Sequence, residues 1–268
     1  MAWRLRKSDS VLFINHFRGI PLMLENTFIH LPNFGPRRER KLWRRGVLSW
    51  DDFLAQFGES PFHHAQCSHI SASKSALSRC DGGYFAPILP SDETWRALPH
   101  FPRTAYLDIE TTGLAPATDY VTVIGVFDGV KTHSYVHGQN LDDFIRDIRG
   151  YDMVVTFNGS VFDLPFIRKH MDAKLPKLHV DLRFLLAGLG VRGGLKKIEQ
   201  QFEMEREGDL RGMNGYDAVL LWQKYKKTND ARALDKLVRY NAADISNLKA
   251  LAEWAYKAKR KLTGFDDF

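Results

Sequence analysis

The chain has 268 residues, 44% hydrophobic and 26% charged, which suits one large or two small globular domains with a substantial core. Net charge is +6, and two cysteines are too few for a disulfide framework. No apolar run reaches the roughly 18–20 residues of a membrane span, so the composition predicts a cytoplasmic protein with a mild preference for polyanions.

The positive charge sits at the front. Residues 1–45 hold ten Lys/Arg against Asp9, Glu25 and Glu39. Residues 1–30 carry apolar pieces such as Val11–Ile14 with no clean period. Asn33, Gly35 and Pro36 then mark a turn. A basic helix follows from Arg37 to Arg45, with Leu42 and Trp43 as its apolar side and Gly46 ending it. Ser49 with Asp52 predicts an N-capping arrangement for a second helix over Trp50–Phe57. This turn and helix pair at 30–57 suggests a helix-hairpin-helix-like element, with Arg37, Arg38 and Lys41 as candidate nucleic-acid backbone contacts. The alternative is a solvated helix face. Trp43 and Trp50 are expected in the core. Cys67 and Cys80 with His63, His64 and His69 follow no common zinc spacing. Glycines and prolines punctuate residues 82–103, which puts a domain boundary near residue 100: a mainly helical region over 1–99, then a second domain over 100–268.

From Thr104 the pattern alternates strands and helices. A strand over Thr104–Ile109 is followed by strands over Tyr120–Phe127 and Val130–Val136, joined by the hairpin signal Asp128-Gly129. Asn140 is expected to cap a helix over Leu141–Ile148. Further strands are predicted at Met153–Phe157 and Lys177–Val180. Further helices are predicted after residue 163, over Leu182–Gly188 and Leu195–Glu203, near Tyr216–Tyr225 and over Arg232–Lys257. A three-stranded meander followed by strands with helical connections predicts an α/β fold with a mixed sheet.

The stretch AYLDIETTGL (105–114) carries the chemistry. Strand side chains alternate faces, so Asp108 and Glu110 point the same way. Two carboxylates side by side on a buried strand call for a counter-ion, and a hard divalent cation is the usual one. Asp163, in Asn158-Gly159-Ser160-Val161-Phe162-Asp163, lies just past a strand. Tyr240 and Asp244 are four apart and share a helix face. Four converging carboxylates would hold two Mg²⁺ or Mn²⁺ ions, which suit in-line phosphoryl displacement. Two readings of Asp181 are open, a helix N-cap or a support for the metal ligands. Gly193-Gly194 with Lys196 and Lys197 is either a phosphate contact or a plain loop–helix junction.

These three motifs, DIETTGL, Asn-x₃-Phe-Asp and Tyr-x₃-Asp, resemble those of the DnaQ-like (DEDD) 3′–5′ exonucleases of the ribonuclease H-like superfamily. The His-type branch has histidine five residues before the last aspartate, where this chain has Arg239. Tyr240 therefore resembles the tyrosine, or DEDDy, branch, and residues 104–250 look most like the YprB-type predicted exonucleases. The resemblance implies a ribonuclease H-like mixed sheet flanked by helices and release of nucleoside monophosphates from a single-stranded 3′ end. DNA is favoured as substrate, RNA is open, and the setting is repair or nucleic-acid processing, with a protein partner from that machinery possible. It implies Asp108, Glu110, Asp163 and Asp244 as metal ligands, with Asp108 bridging both ions, and Tyr240 as the residue orienting the attacking water. Thr111 and Leu114 would lie beside the terminal nucleotide, and Asn158 and Phe162 would shape the cleft. The rival reading is an inactive nucleic-acid-binding or partner-tethering protein on the same fold, distinguished by metal dependence.

Overall fold

The computed structural model describes residues 22–206 and 208–268; the readings made on residues 1–21 lie outside them. The front region holds α1 (Pro36–Trp43), α2 (Trp50–Phe57), α3 (His64–Ser78) and the short α4 (Gly82–Phe85). The capping arrangement at α2 is present. Ser49 accepts from the Asp52 N–H, and the Asp52 carboxylate accepts from the Ser49 N–H. Trp43 and Trp50 are both buried in the core. Glu39 is the one acid of the basic helix, and it turns inward. It takes two hydrogen bonds from Arg96, at 2.9 and 3.1 Å, and one from the Phe28 N–H at 2.7 Å. Breaking such a buried pair on one side leaves an uncompensated charge, so Arg96 anchors α1 to the 3₁₀ segment Thr94–His100.

Among the described residues, five strands form one mixed sheet in the order β3-β2-β1-β4-β5. They are β1 (Thr104–Thr111), β2 (Val121–Phe127), β3 (Thr132–Val136), β4 (Met153–Thr156) and β5 (Leu178–Asp181). The pairs β1–β2 and β2–β3 are antiparallel, and β1–β4 and β4–β5 are parallel. This is the ribonuclease H-like α/β arrangement that the sequence predicts. On one face, Ala105, Leu107 and Ile109 pack with Phe144 of α5 (Asp143–Asp147) and Phe166 of α6 (Asp163–His170). The other face carries α9 (Gly215–Thr228) and α10 (Ala231–Thr263). The short helices α7 (Leu182–Ala187) and α8 (Leu195–Gln201) follow β5. Side chains of the front helices share one hydrophobic cluster with Tyr106, Leu178, Leu251 and Tyr256.

Two local expectations are corrected. The β2–β3 connection spans residues 128–131 rather than two residues, because the Asp128 carboxylate accepts from the N–H groups of Val130 and Lys131 and closes a longer turn. Asn140 does not cap α5. Its side chain reaches back to β3, accepting from the Val136 N–H and donating to the Ser134 carbonyl.

The helix α10 runs 33 residues, from Asp230, whose carboxylate accepts from the Arg232 N–H, to Gly264 in the left-handed region at φ +70°. Leu237, Ile245, Leu248, Ala252 and Tyr256 keep its apolar stripe on the sheet. One acid breaks this logic. Glu253 is buried, its Oε1 has no hydrogen-bond partner among the described residues, and Lys249 Nζ lies 4.0 Å away. Burial pushes its carboxyl up to about 7. A folded-state value above the unfolded one means that stability falls as pH rises from about 4.5 through 7. Glu253→Gln is therefore expected to stabilise the protein by roughly 1–2 kcal/mol at pH 8 and by little at pH 4.5. Denaturant melts at the two pH values check this; an equal effect at both would sink it.

Candidate metal centre

The carboxyl end of β1 builds the site. Its register sets Asp108 opposite Gly125 and Glu110 opposite Val123, with a bulge between Glu110 and Thr111. Alternation turns Asp108 and Glu110 toward α10, while Leu107 and Ile109 face α5 and α6. Asp244 meets them from α10. One carboxylate oxygen from each of Asp108, Glu110 and Asp244 lies within 4.8 Å of the other two. Among the described residues no other group of His, Cys, Asp or Glu comes this close, and Cys67, Cys80 and their neighbouring histidines do not. Asp163, the first residue of α6, is buried beside this trio. Its Oδ1 accepts from the Ile109 N–H at 3.1 Å, so its carboxylate is tied to the strand that carries the other two.

The electrostatics describe a site short of positive charge. Burial, and then Asp163, Asp244 and Glu110, push the Asp108 carboxyl well above the usual carboxylate range. Burial and then Asp244 do the same to Glu110. Asp163 is pushed up to about 7, chiefly by burial. Two side-chain cations partly compensate. Lys196 of α8 and Arg206 both pair with Asp244. They also lie over the ring of Tyr240, at 4.4 Å and 5.6 Å from its centroid. Hard oxygen donors crowded beyond what these two cations neutralise fit a hard divalent cation.

Asn241 is the residue the motifs did not single out. It is fully buried, and its Nδ2 donates to Asp108 Oδ2 at 2.9 Å, with the Asp108 carbonyl at 3.3 Å. It orients the central carboxylate. The signal was available: Leu237, Asn241, Ile245 and Leu248 form one buried helix stripe, and an amide in such a stripe needs a polar partner. Asn241 reaches Asp108 only because Gly125 has no side chain. A Cβ there would lie 2.1 Å from Asn241 Oδ1.

The remaining candidates divide. Thr111 is buried and its hydroxyl donates to the Gly113 carbonyl at 2.5 Å, while Leu114 projects 83% exposed beside it. Asn158 holds a left-handed turn at φ +68°, clamped by Asp181, which accepts from its N–H at 2.8 Å, and by Arg183, which donates to its Oδ1 at 2.6 Å. Phe162 packs against Phe166 with ring centroids 4.9 Å apart. Asp181 does cap α7, accepting from the Arg183 N–H, and the same carboxylate also takes the N–H and hydroxyl of Ser160. Gly194 precedes α8 without a side-chain cap, and Lys196 of that helix turns to Asp244. Arg37, Arg38 and Lys41 are exposed on α1. That helix lines a cavity with Lys259 and Leu262 of α10, roughly 22–27 Å along the axis from Asp244 at about 1.5 Å per residue.

A mixed sheet of this order, with acids gathered at the end of its central strand, defines a ribonuclease H-like domain. Residues 105–256 match the family model of the RNase_H superfamily, and the chain belongs to that superfamily. No curated protein matches the chain. Among solved structures, a family B DNA polymerase from the archaeon Pyrobaculum calidifontis is similar at 18% identity and TM-score 0.45. That match covers 56% of this chain and 24% of the polymerase, so the chain spans about a quarter of its length. A structure described as the apo form of a nuclease is similar at 19% identity and TM-score 0.38, over 60% of this chain and 86% of that one. Among the described residues no helix is long and apolar enough to cross a membrane.

Proposed function

We propose that this protein is a divalent-metal-dependent 3′–5′ exonuclease of the DnaQ-like tyrosine branch, similar to the YprB type. It removes nucleoside monophosphates from single-stranded 3′ ends, with DNA the favoured substrate and RNA a possible one, in repair or nucleic-acid processing. The observation that carries this reading is the meeting of Asp108, Glu110 and Asp244 within 4.8 Å, one helical turn from Tyr240. Asp108, Glu110 and Asp244 would hold one Mg²⁺ or Mn²⁺ ion, and Asp108 with Asp163 a second. Bound there, the ions would supply Lewis-acid charge at the scissile phosphodiester.

The chain's own residues do the positioning. Asn241 fixes the rotamer of Asp108. Burial and the neighbouring Asp244 keep the Tyr240 phenol protonated far above neutral pH, so it remains a hydrogen-bond donor that can aim a water. That water's oxygen bonds to phosphorus as the bond to the departing 3′ oxygen breaks. One water proton ends on that 3′ oxygen. Leu114, which is exposed, would lean on the terminal base beside Thr111, and Asn158 and Phe162 would line the approach. In this reading residues 100–268 form the nuclease domain. The helical region 1–99 is its appendage, with Arg37, Arg38 and Lys41 gripping the backbone of a longer strand. The two free thiols, Cys67 and Cys80, suit a reducing cytoplasm.

Labelled oligonucleotides test this directly. DNA and RNA, single- and double-stranded, labelled at either end, would be incubated with Mg²⁺ or Mn²⁺. The expected product is a one-nucleotide ladder receding from the 3′ end of single strands, stopped by chelator. Oligonucleotides left intact with Mn²⁺, yet bound equally with and without chelator, would favour a binding module instead.

A further inference from the structure

Arg206 follows α8 in a short connection and is held with more care than charge balance needs. Its Nε and Nη2 donate to the two oxygens of Glu199, at 3.0 and 2.5 Å. Glu199 is itself buried and accepts from Asn247 Nδ2 at 2.9 Å, so the anchor is fixed from two sides. Nη2 also pairs with Asp244. Glu199 alone matches the charge of Arg206, and Asp244 already has Lys196.

One donor remains unspent. The Arg206 side chain is only 8% exposed, and its Nη1 is buried with no hydrogen-bond partner among the described residues. A guanidinium is planar. With the Nε–Nη2 edge on Glu199, the second hydrogen of Nη2 and the near hydrogen of Nη1 lie along the same end of the fork. Nη2 meets Asp244, so planarity puts one Nη1 hydrogen on the Asp244 end of the fork, beside the Tyr240 ring that the guanidinium overlies. A buried charged donor without an acceptor is costly, and it is tolerated where a ligand completes it. The acceptor must fit between a guanidinium and a carboxylate cage that binds cations. A tetrahedral anion with several oxygens meets both needs and brings negative charge to the guanidinium, whereas a base edge or a sugar hydroxyl offers a neutral acceptor only.

We propose that Arg206 is a substrate-phosphate ligand: its Nη1 takes a non-bridging oxygen of the 3′-terminal phosphodiester, with Glu199 and Asn247 as the positioning residues behind it. This rests on the exonuclease reading above. The test is a thermodynamic cycle on binding, with Ca²⁺ as the ion and gels verifying that the strand stays intact. The wild type and the double variant Glu199→Gln/Arg206→Met, which leaves no orphaned charge, bind a single-stranded DNA oligonucleotide. The last linkage is either an ordinary phosphodiester or a neutral methylphosphonate. The penalty of the methylphosphonate is expected to be about tenfold larger in the wild type than in the variant. It should be equal in the two when the methylphosphonate sits four linkages inward. Arg206→Lys, which keeps the charge and loses the fork, should fall between them. Each comparison is made at a Ca²⁺ concentration that saturates that variant, established by titration, so that a changed ion affinity does not enter the methylphosphonate penalty. Equal penalties at both positions, in a wild type that binds and degrades the strand, overturn the assignment of Arg206 alone. A wild type that neither binds nor degrades 3′-ended strands overturns the exonuclease reading, and Arg206 with it.

Discussion

Asp108→Asn is expected to give a protein that is more stable without metal and that lacks the nuclease activity proposed above. Asp108 sits among Asp163, Asp244 and Glu110, and burial together with these neighbours holds its carboxyl well above its ordinary value. In the wild type this crowding costs stability as pH rises from about 4 through that raised value. Replacing one carboxylate by an amide removes the repulsion, and the new side-chain carbonyl can still accept from Asn241 Nδ2. The expected gain is on the order of 1 kcal/mol at pH 8, closing toward pH 4. On the exonuclease reading, activity is expected to fall by at least roughly a thousandfold, because the charge that would gather the ions is gone. Mn²⁺ should raise the melting temperature of the wild type and leave that of the variant nearly unmoved. Paired melts with and without Mn²⁺ decide it: a variant less stable than wild type in chelator would mean that Asp108 is a structural acid rather than a ligand in waiting.

Gly125→Ala is the second large effect, and it acts from outside the acid cluster. The glycine faces Asp108 across the β1–β2 pair. A Cβ there would meet Asn241 Oδ1 at 2.1 Å, and both Asn241 Cγ and Ile245 Cδ1 at 3.0 Å. Asn241 is fully buried in the middle of α10 and cannot swing away without giving up Asp108. The helix must lift from the sheet instead. The expected cost is about 2–3 kcal/mol in stability, with loss of most activity. Adding Asn241→Ala removes the clashing amide. The double variant should regain most of the stability and little of the activity, since Asp108 then has no orienting donor. Recovery of both together would show that Asn241 matters for packing only.

The sheet was legible for a simple reason. Each strand carries its own alternating or continuous apolar run, and the meander from β1 to β3 is joined by short connections that leave little choice of neighbour. Local capping was equally readable where it is a matter of two side chains, as at Ser49 and Asp52. The errors came where a side chain had a second partner within reach. Asn140 had the end of β3 within reach, and Asp128 had two further N–H groups to satisfy, so neither followed its nearest-neighbour rule. The length of α10 past residue 257 belongs to the same class. Arg260 donates to Asp266 and to the Leu22 carbonyl, a partner 238 residues away in the chain.

By itself, the sequence determined the α/β class, where the strands fall along the chain and which acids stood at strand ends and on a helix face, because period and spacing along a chain are local properties. Only the tertiary structure decided what surrounds those acids. It brought Asp108, Glu110 and Asp244 within 4.8 Å while turning Asp163 to the Ile109 N–H. It set Asn241 against Asp108 through the gap at Gly125, and it brought Arg206 from an irregular connection onto Asp244. The physical reason is that charge neutralisation and hydrogen-bond satisfaction in a buried site are settled among groups that meet only after the chain has packed, and no spacing rule announces which of them will meet.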